Sequence, residues 1–385
     1  MMSQSEQISQ LVIHTTQHGE PPTVTLVNDA PTATCDPKLL DAYNSVVDAQ
    51  RLNWTSHQRL TRRLGEGGQG VVYLSERRGA DGFTIPLAIK VFSPERFGDE
   101  ESYAIAMRRN ANMSARIAQI QHDNLLVVHN FVDRNCIRML VMEWIDGFDL
   151  RHLLNNKRVK QMGESLEESQ RKHVHDVVIR PGPQQAIFKP GMAVAVVRDC
   201  LAALKSLHEG NIVHGDIKPA NIMIKRSGMA KIIDIGSAYA LDDVPEKRTC
   251  TPTYAAPEVI EGGEATAKSD LASLGYVLLE LLSGKAPFQK LKSYGDLVKA
   301  KRELPDRIAE ILPPELSEDE RLVNFCHRLV AYDPEKRFNT ATEANLLEEG
   351  ALGIHRQLVV SQQDSDYDHE LHEFINALMI IDTED

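Results

Sequence analysis

HGDIKPAN, at residues 214–221, is the most informative stretch of this sequence. It places an acid at Asp216, a cation at Lys218 and an amide at Asn221 within one short segment, and a second acidic turn follows at Asp234. Phosphoryl transfer uses these residue types: a carboxylate orients a hydroxyl, a cation lies near the moving phosphate, and an amide and a carboxylate hold Mg²⁺. Any one of them alone is typical of a surface turn, but the set favours a phosphotransferase site.

Composition limits the other possibilities. The chain has 385 residues, 42% of them hydrophobic and 25% charged, which is ordinary for a soluble globular protein of two or three domains. The net charge of −12 disfavours non-specific nucleic-acid binding. The sequence contains no apolar run of about 18 residues and no basic and apolar leader at its start. We therefore expect a cytoplasmic protein with no nucleic-acid or membrane partner; the sequence does not indicate an oligomeric state.

The cysteines support the same compartment. They are odd in number and scattered, and no two form a C-x-x-C pair. This pattern predicts reduced thiols, rather than a disulfide framework or a zinc site. The five are Cys35, Cys136, Cys200, Cys250 and Cys326.

The N-terminal 56 residues differ in composition from the rest of the chain. Residues 1–35 are rich in Gln, Ser, Thr and Pro, so we expect them to be mobile, with a short strand indicated only at Val24 and Leu26. Asp36 and Pro37 are typical of a helix start and open an apolar-periodic stretch. We interpret residues 1–56 as a partly disordered extension with one helix.

A glycine-rich loop is present at residues 65–73, which read GEGGQGVVY. Glycines allow backbone amides to approach phosphates, but a lone G-x-G-x-x-G is also typical of a hairpin tip or a Rossmann turn. A strand rather than a helix comes after it, which argues against the Rossmann turn. The next strand, predicted at 83–92, carries Lys90 at the end of an apolar run, where it can reach a phosphate.

Together these elements resemble the eukaryotic-type Ser/Thr protein kinases over residues 58–345. The resemblance implies an α+β, bilobal protein-kinase-like fold, with a small β-rich N-lobe at 57–145 and a larger helical C-lobe at 146–350. It also implies ATP and Mg²⁺ as cofactors and Ser/Thr-containing proteins as substrates. An insertion at about 155–191 and an acidic tail at 351–385 lie outside the shared pattern.

The resemblance assigns roles to the catalytic residues. Asp216 would orient the substrate hydroxyl and accept its proton, and Lys218 would offset charge on the transferred phosphoryl group. Asn221 and Asp234 would hold Mg²⁺, while Lys90 would grip the α- and β-phosphates.

The resemblance also implies a set of residues around ATP, formed by the glycine loop, a hinge beside adenine and an apolar floor. Asp149 has two interpretations, a ribose contact and a helix N-cap. The set consists of Gly65, Glu66, Gly67, Gly68, Gln69, Gly70, Val72, Ala88, Met142, Glu143, Ile145, Asp149 and Met223.

The sequence departs from the family pattern in the helix predicted at 102–121. The family places a Glu there to pair with the strand lysine, but residues 102–122 contain no acid, and Met113 falls near the missing position. Three explanations stay open. Asp234 holds Lys90 by itself, which we favour; an acid at the helix start, Glu100 or Glu101, reaches it; or the site binds nucleotide with little catalysis.

Two further departures lie in the catalytic motifs, and the insertion is a third. Gly215 replaces the usual Arg that binds an activation-loop phosphate, and Ile235 replaces Phe. Residues 155–191 are charged and interrupted by Pro-Gly pairs, which predicts a solvated loop with a short helix.

The C-terminal half carries the remaining motifs. Residues 250–258, CTPTYAAPE, resemble the peptide-substrate loop and should lie beside Asp216 and Lys218. Asp270 is predicted to begin an apolar helix and to hydrogen-bond the backbone of residues 214–221, which we call the catalytic segment. Glu258 and Arg337 resemble a buried ion pair, and an amphipathic stretch in the tail should dock onto the chain's own domain.

Two other classes of protein remain possible. A small-molecule kinase of the aminoglycoside or choline type can also carry His-Gly-Asp with an Asn five residues later. Lys218 and the 250–258 loop argue against it. The absent helix Glu motivates the second alternative, a catalytically weak ATP-binding scaffold.

Overall fold

The chain after residue 58 forms a five-stranded antiparallel sheet, whose strand Thr84–Phe92 is buried over its last six residues. The computed structural model describes residues 12–13, 24–26, 36–49, 59–245, 248–289, 291, 293–360 and 366–382. The chain divides into two units, the first of residues 1–121, 126–145 and 244–249 and the second of residues 122–125, 146–243 and 250–385.

The first unit contains the sheet and two longer helices. Most of the N-terminal residues predicted to be mobile fall outside the described residues. The elements are β1 (Val12–Ile13), β2 (Val24–Leu26), α1 (Pro37–Ala49), β3 (Arg59–Gly67), β4 (Gly70–Arg78), β5 (Thr84–Phe92), α2 (Glu100–Ile117), β6 (Val128–Arg134) and β7 (Ile137–Glu143). The strand order in the five-stranded sheet is β3-β4-β5-β7-β6.

Helix α2 begins and ends earlier than the predicted range 102–121. The Asp99 side chain accepts a hydrogen bond from the Ser102 backbone N–H at 2.6 Å, so the helix starts immediately after this cap. Its inward face buries Tyr103, Met107, Ser114 and Ile117, at near-helical spacing.

The second unit is mainly helical, so the predicted α+β class is confirmed. No helix in the described ranges combines the length and apolarity needed to cross a membrane. The elements are β8 (Gly147–Asp149), α3 (Leu150–Leu153), α4 (Asn156–Ser165), α5 (Glu168–Val177), β9 (Ile179–Arg180), β10 (Ile187–Phe188), α6 (Pro190–Glu209), β11 (Ile212–Val213), β12 (Ile222–Lys225), β13 (Ala230–Ile232), β14 (Tyr239–Ala240), β15 (Arg248–Cys250, divided between the units), α7 (Pro257–Ile260), α8 (Ala267–Ser283), α9 (Tyr294–Glu303), α10 (Ile308–Ile311), α11 (Pro314–Ser317), α12 (Glu320–Val330), α13 (Ala341–Leu346), α14 (Ala351–Val360) and α15 (Tyr367–Asp382).

Helices α6 and α8 form the centre of the second unit. Helix α8 is mainly apolar and almost entirely buried, as expected for a helix surrounded by others. It begins at Ala267 rather than at Asp270, because Thr266 and Ser269 form a capping box one turn earlier. Asp270 therefore lies within the first turn, where its carboxylate faces the catalytic segment.

The prediction of a solvated loop at residues 155–191 was wrong. This segment contains α4, α5 and a short antiparallel hairpin, β9–β10. Val159 and Met162 are completely buried on α4. The C-terminal helix α15 packs against α4 and α5, and His173 on α5 bonds Glu370 on α15 at 2.7 Å.

The expected docking of the tail is confirmed for its described residues. Helix α15 packs on α4, α6 and β12, and its apolar side chains Leu371, Phe374 and Ile375 are buried there. At its N-terminus the backbone oxygen of Asp368 lies so close to Gly228 that a side chain at that glycine would collide with it.

Candidate active site

The backbone of the catalytic segment is held by one carboxylate, that of Asp270. Helix α6 ends at the Gly210 cap, and strand β11 then leads into His214. Asp270 accepts hydrogen bonds from the backbone N–H groups of His214 and Gly215, both at 2.9 Å. His208 Nε2 lies 3.0 Å from the same carboxylate. The predicted contact of Asp270 with the segment is thus present, and it fixes the backbone immediately before Asp216.

Asp216 is buried within a set of three donors. Its Oδ2 atom lies 2.8 Å from Lys218 Nζ and 3.2 Å from Asn221 Nδ2. Its Oδ1 atom accepts a hydrogen bond from the Thr251 backbone N–H at 3.0 Å. Ionised carboxylates are the preferred acceptors of such donors, so the site fixes the orientation of the acid.

Lys218 connects the catalytic segment to the 250–258 loop. In addition to Asp216, its Nζ atom donates to Thr251 Oγ1 at 2.9 Å. The 250–258 loop thus lies beside Asp216 and Lys218 as predicted, and Thr251 is the residue that contacts both. Further along the loop, the Tyr254 hydroxyl donates to Glu280 Oε2 at 2.6 Å. The loop is therefore attached to the acid and to helix α8 by side-chain contacts.

Asp234 and Asn221 are adjacent through the backbone. The Ile233 N–H donates to the Asn221 carbonyl at 2.8 Å, directly before Asp234. Asp234 has a left-handed backbone with φ of 57°, and its Oδ1 accepts from the Gly236 N–H at 3.1 Å. A non-glycine residue in this region stores strain, a feature found often at functional sites.

The register of the sheet places four of the predicted nucleotide residues on one face. Val72 is opposite Lys90, and Ala88 is opposite Met142. Because Ala88 and Lys90 are two residues apart on β5, their side chains point to the same side of the sheet. The predicted grouping of Val72, Ala88, Lys90 and Met142 therefore follows directly from strand pairing.

The glycine loop joins β3 to β4, where Gly67 pairs with Gly70. Gly70 has a φ of 138°, and a Cβ atom there would lie 2.0 Å from the Val91 carbonyl oxygen. Only glycine fits this position. Glu143, at the end of β7, uses its side chain to accept from the Val127 N–H at 2.7 Å.

Met223 and Asp149 are directly opposite each other in the β12–β8 pair. Asp149 caps α3, since its Oδ1 accepts from the His152 N–H at 2.9 Å, and its Oδ2 lies 2.6 Å from His152 Nδ1. The capping interpretation of Asp149 is confirmed. His152, its side-chain partner, was not anticipated from the sequence.

Lys90 has a partner that sequence reasoning missed. Its Nζ atom donates to Gln69 Oε1 in the glycine loop at 2.7 Å. None of the three explanations for the missing helix acid included this residue, although the polar Gln within the glycine pattern was the available signal. Glu100, one of the acids considered for Lys90, hydrogen-bonds the Cys136 thiol and so raises the pKa of that thiol.

The chain is similar to known proteins over most of its length. A family profile described as "Protein kinase domain" matches residues 59–347. A probable serine/threonine-protein kinase pknA2 of Bifidobacterium longum is 32% identical over 238 residues, covering 60% of this chain and 27% of that protein. The serine/threonine-protein kinase PknB of Mycobacterium tuberculosis is 30% identical and PrkC of Bacillus subtilis 28% identical. These two alignments cover 73% and 74% of this chain, and 40% and 39% of the respective relatives. The chain thus spans well under half the length of these relatives.

Proposed function

We propose that this chain, which belongs to the protein kinase domain family, transfers the γ-phosphoryl group of ATP to serine or threonine hydroxyls of proteins. The observation that carries the proposal is that Asp216 contacts both Lys218 and the backbone of Thr251. An acid tied to the 250–258 loop is placed to receive a hydroxyl from a peptide lying on that loop. The relatives are named serine/threonine-protein kinases, which supports serine and threonine as acceptors.

The roles of the individual residues are part of this proposal. Asp216 orients the hydroxyl and accepts its proton, and Lys218 offsets the charge of the transferred group. Lys90 and the amides of the glycine loop bind the phosphates. The face of the first-unit sheet that carries Val72, Ala88 and Met142 would contact adenine. The hinge at Glu143 and Ile145 supplies backbone hydrogen bonds.

The residues present fit a magnesium ion. Asn221 Nδ2 donates to the Asp216 carbonyl oxygen at 2.7 Å, so the amide oxygen of Asn221 is the atom available to a cation. Together with an Asp234 carboxylate oxygen it forms the all-oxygen donor set that Mg²⁺ prefers. Held by Asn221 and Asp234 and bound with ATP, the ion would neutralise charge on the phosphates.

The proposal is tested by phosphate transfer from radiolabelled ATP with Mg²⁺, offered a generic basic protein in one assay and aminoglycosides or choline in another. Labelled phosphoserine or phosphothreonine in the protein is the expected result. Transfer to the small alcohols alone would assign the chain to small-molecule kinases instead. Nucleotide binding without any transfer would identify a scaffold, the alternative motivated by the absence of an acid in α2 beyond its first turn.

Replacing Asp234 with Asn is expected to raise the Mg²⁺ concentration needed for half-maximal activity by about tenfold or more. A neutral amide loses the charge attraction of a carboxylate for the ion, and each 1.4 kcal/mol lost is about tenfold in affinity. The measurement is initial rate against Mg²⁺ concentration at saturating ATP. Asp243→Asn, on an exposed acid further along the same segment, is the control. An unchanged Mg²⁺ dependence would contradict the metal role of Asp234.

Replacing Met113 with Glu is expected to change kcat/KM for ATP by less than about twofold, a typical limit for substitutions that touch no essential feature. Lys90 already donates to Gln69, so its side chain does not require a new carboxylate on α2 as a partner. Ile105→Glu, at an exposed position on the same helix, controls for the added charge. An increase of tenfold or more in Met113→Glu alone would show that the missing helix acid limits activity.

A further inference from the structure

Lys301 is a lysine with no exposed surface, although it lies on α9 near the outside of the second unit. Its Nζ atom donates to the Thr253 carbonyl oxygen at 2.9 Å. The same atom lies 4.0 Å from the ring centre of Tyr276 and 4.2 Å from that of Phe288. Two aromatic faces and one carbonyl therefore surround the terminal amine, in the geometry of a cation–π cage.

The position is unfavourable for a charged group. Burial lowers the pKa of Lys301 well below its ordinary value. Glu258, a carboxylate whose field reaches Lys301, makes its ion pair with Arg337 instead. Replacing the amine with an apolar side chain of similar volume removes the cost of burying it, and this offsets the loss of one hydrogen bond to a carbonyl. Stability alone therefore gives no reason for a lysine here.

The cage itself is held in a strained conformation. Phe288 has a φ of 61°, a left-handed backbone that a bulky residue rarely adopts. Its ring meets the Tyr276 ring edge to face, with centroids 5.3 Å apart. A glycine at position 288 would relieve this backbone strain, but it would also remove the ring that covers Lys301.

The carbonyl that Lys301 holds belongs to the 250–258 loop. Thr251, two residues before Thr253, is fastened to Asp216 and Lys218, and Tyr254, one residue after, is fastened to Glu280. Lys301 supplies the attachment between them. Without it, the turn at 252–253 has fixed ends but a carbonyl free to rotate inward or outward.

We propose that Lys301 is a positioning residue for the protein substrate, holding the Thr253 carbonyl so that the 250–258 loop keeps the shape on which the peptide beside the phosphorylated residue lies. The proposal rests on the proposed kinase function. Lys301 touches neither the reacting atoms nor the nucleotide; it acts through the loop.

The test compares Lys301→Met, Lys301→Gln and Lys299→Met. Methionine keeps the apolar stem but cannot donate, whereas the glutamine amide can donate to the Thr253 carbonyl. Lys299 is an exposed lysine on the same helix and serves as the control. KM for a serine peptide is expected to rise about tenfold or more in Lys301→Met. The affinity of this variant for ADP should be unchanged, and its melting temperature should be equal to or higher than that of the wild type. Lys301→Gln should recover most of the loss, and Lys299→Met should match the wild type.

Hydrogen exchange gives a readout that does not depend on activity. The amides of Tyr254 and Ala255 both donate to the Thr251 carbonyl at 2.9 Å, and they are expected to exchange faster in Lys301→Met only. An unchanged peptide KM, an equal loss in the Met and Gln variants, or failure of Lys301→Met to fold would each overturn the positioning role. The two proposals can fail separately. If the wild type phosphorylates no protein but Lys301→Met still exchanges these amides faster than the wild type, the kinase proposal is overturned and the contact of Lys301 with the loop is supported.

Discussion

Replacing Asp216 with Asn is expected to lower kcat for protein phosphorylation by about 10²–10⁴-fold, the range that a positioned general base contributes. In the wild type the two carboxylate oxygens accept from Lys218, Asn221 and the Thr251 backbone. Asparagine keeps one acceptor oxygen and turns the other into a donor. The substitution therefore removes the base and also sets an NH₂ group against a neighbouring donor. Initial rates at saturating ATP and Mg²⁺ measure the effect.

The matched control is Asp306→Asn, on an exposed acid in the second unit, which should retain wild-type turnover. ATP affinity of Asp216→Asn should stay within about twofold of the wild type, because the role proposed for Asp216 concerns the hydroxyl and not the nucleotide. A variant with a normal melting temperature and unchanged kcat would rule out Asp216 as the base. A variant that loses ATP binding as well would point to a wider collapse of the site.

The parts of the site that sequence reasoning predicted are those in which several residue types had to occur together. HGDIKPAN, the glycine loop and the 250–258 loop each restrict the possible chemistry, and their joint order left few folds to consider. The contacts of Thr251 and Asp270 with the catalytic segment followed from that resemblance. Local patterning then sufficed for the strand that carries Lys90, because a short apolar run bounded by turn residues is typical of a buried strand.

The insertion at 155–191 shows why the rest was not predictable. Its apolar residues are few, so by itself the segment reads as a solvated loop. Its helices α4 and α5 pack against α15, which lies almost 200 residues further along the chain, as the His173–Glu370 contact shows. A helix whose partner is so distant in sequence has no local signal beyond a weak periodicity.

The partners of two of the buried lysines, Lys90 and Lys301, were missed for a related reason. A lysine is usually exposed, and both Lys90 and Lys301 follow sequence patterns that permit exposure. The Lys90–Gln69 contact depends on how the glycine hairpin folds back over β5. The cage around Lys301 depends on a left-handed residue, Phe288, which no propensity would suggest. Tertiary context decides both cases.

Replacing Arg337 with Met is expected to destabilise the chain by about 3–5 kcal/mol, the usual cost of removing one partner of a buried ion pair. Its guanidinium donates to both Glu258 oxygens, at 2.7 and 2.8 Å. It also donates to three backbone carbonyls, those of Ala331, Lys268 and Tyr332. All five N–H groups of a guanidinium can be satisfied in this way, and methionine replaces none of them.

The measurement is thermal unfolding beside Arg321→Met, which breaks an exposed ion pair with Glu348 and should cost less than about 1 kcal/mol. For Arg337→Met the melting temperature should fall by roughly 6–20 °C. Equal stability of the two variants would contradict the large contribution to stability proposed for the Glu258–Arg337 pair.

The pH dependence gives this prediction a second, independent signature. Burial alone would raise the pKa of Glu258, but the hydrogen bonds and charge of Arg337 outweigh burial and hold that pKa below its ordinary value of 4.5. The stabilisation is therefore present above about pH 4.5 and is lost as pH falls through the lowered pKa. In Arg337→Met burial is no longer opposed by the arginine, so the pKa of Glu258 should rise and its ionisation should destabilise the fold at neutral pH. The stability difference between wild type and variant should consequently be largest near pH 7 and shrink towards pH 4. A difference that is constant with pH would show that Arg337 acts through packing rather than through its charge.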